Sequence, residues 1–83
     1  MRVTVRLFAR LRELAGREAV ACEVDADATV RAVWDAIVRQ HPALAPYAGT
    51  VSAAVNADYA RMTAAVRDGD EVAFLPPVSG GAD

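Results

Sequence analysis

An α+β domain with one long helix laid across one mixed sheet is the fold class this sequence predicts, and three observations predict it. Period-two alternation of apolar residues recurs over 3–7, 20–24 and 51–55. A single helical stripe occupies 30–38, between those runs. Clusters of Asn, Asp, Gly and Pro separate the segments at turn spacing. The chain's 83 residues, 54% hydrophobic and 24% charged, suffice for one compact domain with one modest core.

Val3, Val5 and Leu7 alternate with Arg2, Thr4 and Arg6, so residues 2–8 are expected as a first strand with one buried face. Apolar residues at 8, 11, 14 and 15, closed by Gly16, mark a short helix or helical turn. Alternation resumes over 18–24 with Val20, Cys22 and Val24 on one face, and the acidic turn Asp25-Ala26-Asp27 ends it. This second strand is expected beside the first. Thr29 is a good N-cap, and Val30, Val33, Trp34, Ile37 and Val38 fall on one face, predicting the main helix over 30–40. Arg39 and His41 suit its carbonyl end, and Pro42 forbids continuation.

Residues 42–49, with Pro42, Pro46 and Gly49, read as a connection holding a helical turn near 44–47. Val51, Ala53 and Val55 alternate once more, and Asn56-Ala57-Asp58 turns the chain into a short strand over 59–62. Asp68-Gly69-Asp70 is a further turn, leading into a last strand over 71–75. The expected core unites Val3, Val5, Leu7, Val20, Val30, Val33, Trp34, Ile37, Val55 and Val72 between helix and sheet.

Eleven acidic residues against nine basic ones give a formal charge of -2, so bulk electrostatics favours no nucleic-acid ligand. No long apolar block opens the sequence, so neither a secretory leader nor a membrane span is expected, and a single cysteine suits a reducing, cytoplasmic setting. Cys22 shares its face with Val20 and Val24 and reads as a packed thiol. His41 lacks spaced Cys, His or carboxylate partners, and Asp68-Gly69-Asp70 lacks the other oxygen ligands of a calcium loop. No metal or cofactor is predicted. All nine basic residues are arginine, a choice that coding bias explains in an alanine-rich chain. Its chemical consequence is that the sequence offers no ε-amine through which copies could be linked.

After Leu75 the character changes. Pro76-Pro77 stiffens the exit from the sheet, and Val78-Ser79-Gly80-Gly81 has little side-chain bulk, which suits insertion of a slender tip into a narrow tunnel. Residues 1–75 are therefore expected as the folded domain and 76–83 as a flexible C-terminal tail carrying Gly80-Gly81.

The run Asp68-Gly69-Asp70-Glu71-Val72-Ala73-Phe74-Leu75-Pro76-Pro77-Val78-Ser79-Gly80-Gly81 resembles the C-terminal signature of the small subunit of molybdopterin synthase, the MoaD family. Residues 8–16 and Ala53-Ala54-Val55-Asn56 support the resemblance, which covers essentially the whole domain. It implies a ubiquitin-like β-grasp fold and a sulfur-carrier role in molybdenum-cofactor synthesis. It further implies that an ATP-dependent, ubiquitin-activating-like adenylyltransferase adenylates Gly81, that sulfur converts the adenylate to a thiocarboxylate, and that the carrier delivers this sulfur to cyclic pyranopterin monophosphate on the large subunit.

On that reading Gly81 is the reacting residue, Val78, Ser79 and Gly80 enter the partner's tunnel, and Phe74, Leu75, Pro76 and Pro77 anchor the tail base. Ordinary burial is an equal reading for Phe74. Arg12 is the candidate contact with the activating enzyme, beside Arg10 on a local basic edge. The chain would be a non-catalytic sulfur-donor subunit, with the catalytic groups on its partner. Because Ala82 and Asp83 follow, Gly81 must be released by their removal before it can be activated. Three alternatives stay open: a ubiquitin-like protein modifier, a carrier feeding thiamine or cysteine synthesis, and a ubiquitin-like interaction domain that is never activated.

Overall fold

The computed structural model describes residues 1–77. Its elements are β1 (Arg2–Leu7), α1 (Ala9–Ala15), β2 (Ala19–Glu23), α2 (Val30–Gln40), a 3-10 helix (Pro42–Tyr47), β3 (Ser52–Val55), β4 (Asp58–Ala60) and β5 (Glu71–Leu75). Spatially the sheet runs β2-β1-β5-β3-β4, with β1 and β5 parallel at its centre and the remaining pairs antiparallel. This is the mixed five-stranded sheet with a helix across one face that defines the β-grasp class.

Helix α2 begins and ends where its chemistry dictates. The Thr29 hydroxyl accepts from the Ala32 amide at 3.4 Å. The Val30 and Arg31 amides, which have no partner within the helix, donate to the Ala64 and Met62 carbonyls, both at 2.9 Å. The loop 61–66 thus satisfies the helix entrance, and Val66 is buried beneath it. At the other end the His41 amide still reaches the Ile37 carbonyl, and Pro42 stops the ladder.

The face of α2 carrying Val30, Val33, Trp34 and Ile37 packs on Val3, Val5, Leu7 and Val72, all essentially inaccessible to water. Trp34 meets Phe74 of β5 edge-on, with ring centroids 5.0 Å apart, joining the helix to the middle of the sheet. Cys22 lies in the same core as a packed thiol.

The elements depart from the sequence reading in small, explicable ways. The hydrogen bonds between β1 and β2 reach the limits expected for the second strand, since Leu7 donates to Glu18 and Met1 and Val24 exchange hydrogen bonds, but regular pairing stops at Ala19 and Glu23. Val20 and Val55 pack only partly buried at the core's margin, whereas Leu11, Leu44 and Ala53 complete it from the two short helices and β3. Alternation fails to describe β3, where Ala53 and Ala54 are both buried; Ala54 lies between its strand partners Tyr59 and Ala73, and its single methyl leaves little surface to expose. The strand expected over 59–62 pairs one residue earlier, because Asn56 and Ala57 both adopt left-handed backbone and make a two-residue hairpin turn.

Candidate functional site

Strand β1 should have continued to residue 8, but it stops at Leu7, and the reason shapes the site. Phe8 is still extended, yet Ala9 turns left-handed (φ 51°) and sends the chain away from the sheet into α1. The Phe8 carbonyl receives the Leu11 amide at 3.1 Å, so Phe8 is the cap of α1. Its ring is left 39% exposed on the face opposite α2. Arg6, two residues earlier on that face, places its guanidinium 5.9 Å from the ring centroid and reaches the Glu71 carboxylate at 3.4 Å.

Because β1 and β5 are parallel, with Leu7 opposite Phe74, both strands end at the same edge of the sheet. Phe8 therefore stands beside the outgoing tail. Phe8, Arg10 and Tyr47 on one side, with Leu75, Pro76 and Pro77 on the other, line an open and largely apolar groove of about 620 Å³. Arg10 forms its charged rim, paired with Glu13 at 3.1 Å; that carboxylate, and then Tyr47, hold the guanidinium further into its charged range.

At the opposite end, the entrance of β5 is fixed by polar groups. Asp68 accepts from the Arg2 amide at 2.8 Å, and Gly69, left-handed at φ 87°, donates back to the Arg2 carbonyl at 2.8 Å. Asp70 accepts from the Asn56 side chain at 2.9 Å and from the Arg67 amide at 2.8 Å. The Asn56 amide oxygen in turn receives the Glu71 amide at 3.0 Å. Donation by Asn56, then by the Arg67 backbone, holds the Asp70 carboxyl below its ordinary value. The Asp-Gly-Asp turn thus uses its carboxylates on the chain's own amides, positioning the strand that carries the tail.

A central strand anchored at one end thus leads to a proline-stiffened exit beside an apolar groove. Over residues 5–81 the chain matches the ThiS family. It belongs to that family.

ThiS relatives include sulfur carriers and ubiquitin-like modifiers, and this chain resembles both. It is 44% identical to the molybdopterin synthase sulfur carrier subunit of Escherichia coli, over 95% of this chain and 99% of that one. It is 40% identical to small archaeal modifier protein 1 of Haloferax volcanii, over 92% and 97% respectively. The crystal structure of that modifier superposes with a TM-score of 0.86 at 37% identity, covering 98% of this chain and all of that one (100%). A complex of subunits 1 and 2 of the molybdopterin-converting factor from Helicobacter pylori contains a chain that superposes with a TM-score of 0.68 at 26% identity, covering 98% and 100%.

Within this ThiS-family domain the sequence-predicted site residues separate into four groups. Leu75 and Pro76 are half-buried and Pro77 is exposed, all three lining the groove. Phe74 does not join them: it is fully buried against Trp34, because the alternation of β5 turns residues 72 and 74 inward, so its side chain is core and offers no partner contact. Arg12 is exposed on α1 and makes no ion pair among the described residues. Val78, Ser79, Gly80 and Gly81 lie outside the described residues. Sequence reading overlooked Phe8 and Tyr47 as groove residues. For Phe8 a signal existed, since it continues the outward parity of Arg2, Thr4 and Arg6; for Tyr47, placed by a 3-10 turn, none did. No helix among the described residues is long and apolar enough to cross a membrane.

Proposed function

We propose that this chain is the sulfur carrier of a molybdopterin synthase, working through Gly81. The observation that carries the reading is the exit of the tail: it leaves the anchored central strand through Pro76-Pro77, beside an apolar groove that a partner subunit can grip. The E. coli relative, a molybdopterin synthase sulfur carrier subunit, supports the choice of pathway. The complex from Helicobacter pylori supports a large-subunit partner for this chain.

The chemistry asks little of side chains. A carboxylate is a poor electrophile until one oxygen carries a leaving group, so the Gly81 carboxylate attacks the α-phosphorus of ATP on an adenylyltransferase and pyrophosphate departs. A hydrosulfide then attacks the unhindered glycyl carbon, AMP leaves, and loss of the remaining S–H proton to solvent gives the thiocarboxylate. Residues beyond Gly81, here Ala82 and Asp83, must first be cut away, since an amide at Gly81 blocks the reaction. In the large subunit the thiocarboxylate sulfur acts as a nucleophile toward the pterin precursor, and positioning is this chain's contribution. Ordering the tail costs on the order of 1 to 2 kcal/mol per residue, which contacts at Phe8, Leu75, Pro76 and Pro77 help to offset. Arg12 is the proposed contact with the adenylyltransferase, and residues 1–75 the folded unit that the tail extends.

A second reading, a ubiquitin-like modifier, draws support from the resemblance to small archaeal modifier protein 1. One experiment separates the two. Cells lacking their own molybdopterin synthase carrier are supplied with the full chain, with residues 1–81, or with residues 1–77. Residues 1–81 should restore molybdopterin, and residues 1–77 should fold but fail. Restoration by 1–77 would refute the tail mechanism; failure of 1–81, with glycine-linked protein adducts in the same cells, would replace the carrier with the modifier.

A further inference from the structure

We infer that the chain is a one-way acyl donor, holding its activated Gly81 without passing it to itself or to a second copy. The inference rests on the activation of Gly81 proposed above but on no particular pathway.

An activated glycyl carbon has two strong acceptors in ordinary proteins, the ε-amine of lysine and the thiol of cysteine. The sequence has no lysine; its nine cations are arginines, whose guanidinium stays protonated and non-nucleophilic. Its one thiol is sealed. Cys22 is 1% exposed, beneath α2, and its sulfur accepts a hydrogen bond from the Gln40 side chain at 3.7 Å. Burial pushes its pKa up, against a smaller opposing effect of Gln40, so the thiolate that would attack is scarce as well as inaccessible. The Met1 α-amine is half-buried and donates to the Val24 carbonyl at 2.7 Å, closing the β1–β2 ladder. Composition removes the lysine route and packing seals the cysteine route, while the Met1 amine is half-buried and engaged by Val24.

The reactions excluded are simple. In aminolysis an amine nitrogen would bond to the Gly81 carbon, the bond to the leaving group would break, and the nitrogen would lose a proton to solvent. In acyl exchange a cysteine sulfur would form the new bond and release the leaving group in the same way. Both would consume the charged carrier and yield linked copies.

The test uses residues 1–81 bearing a small-thiol thioester at Gly81, which stands in for the adenylate and needs no activating enzyme. Wild type, Arg17→Lys/Arg39→Lys/Arg61→Lys and Ala21→Cys are incubated at equal, high concentration near about pH 8. All four altered positions are exposed and free of the ion pairs among the described residues. Intact mass should show wild type hydrolysing to monomer, while both variants form linked copies at least on the order of tenfold faster. A dimer in wild type, mapped by peptide mass to Cys22 or Met1, overturns the inference. So does an equal absence of linked copies in all three proteins, since the missing acceptors would then not be what protects the carrier. A wild type that passes while the chain fails to support molybdopterin synthesis would leave this inference intact and remove only the pathway.

Discussion

The two ends of β5 are built on opposite principles. At its entrance, Asn56, Asp68, Asp70 and the Arg2 and Arg67 backbone exchange hydrogen bonds until the strand's position is over-determined. At its exit, polar fixing ends with the pairing of Leu75 and Ser52, and Pro76 and Pro77 carry no amide to continue it. What holds the exit is apolar: Phe74 beneath, Leu75 and Pro76 half-covered, Phe8 alongside. A polar anchor fixes register, whereas an apolar exit leaves a surface that a partner can complete. The difference assigns register to one end and, on the proposed reading, leaves the surface of the other for recognition.

If Phe74 is the anchor beneath the exit and not part of the partner surface, its loss should be the most damaging single change. Phe74→Ala should destabilise by about 3–5 kcal/mol, because it empties the space facing Trp34 in the middle of the sheet. Ile37→Ala, fully buried on α2, should cost about 2–5 kcal/mol by the same mechanism. Urea denaturation measures both. A Phe74→Ala protein of unchanged midpoint would place that ring outside the core and return it to the interface.

Breaking the polar end should give a smaller loss with a pH signature. The folded-state pKa of Asp70 is depressed, so its stabilisation is complete above the ordinary carboxylate value of about 3.9 and fades as pH falls through the depressed value. Asn56→Ala removes the main cause of that depression together with the bond to the Glu71 amide. The Tm gap between wild type and variant should therefore be widest near neutrality and narrow below about pH 4, without closing, because the Glu71 bond does not titrate. A gap independent of pH would show that Asp70 is not held as described. In the same hairpin, Ala57→Gly relieves a left-handed alanine (φ 74°) and should raise stability by about 0.5–1 kcal/mol.

How far the sequence foretold these ends follows from what each depends on. The α2 stripe, the Thr29 cap and the Asp-Gly-Asp turn are local, so residue type and spacing revealed them. Phe74 was legible only as an ambiguity, since a tail-proximal aromatic suits either core or interface until the pleat's parity is fixed by pairing with β1. The groove was not legible. It exists because β1 and β5 run parallel and end together, a consequence of sheet order, and because Ala9 adopts a backbone that alanine seldom takes. Tyr47 reaches it from a segment far from Phe8 in sequence and in no recognisable pattern, on a turn whose only local mark was its prolines.

The smallest expected effect on stability is also the sharpest test of the division between the two ends. Phe8→Ala removes a ring that is 39% exposed and packs mainly on Arg6 and the groove, so the fold should lose less than about 1 kcal/mol. Interfaces draw their energy from a few aromatic residues seated in apolar surroundings, and Phe8 is one of two aromatic residues, with Tyr47, that line the groove. Its removal should weaken capture of a large molybdopterin-synthase subunit by at least about 1 kcal/mol, several-fold in Kd, while Tm scarcely moves. The comparison needs Tyr59→Ala as its control, because Tyr59 is 83% exposed at the sheet's outer edge and does not line the groove. Calorimetric titration of both variants against the large subunit decides the matter. Equal weakening by Phe8→Ala and Tyr59→Ala would mean that the whole outer face, and not the exit of β5, is the recognition surface.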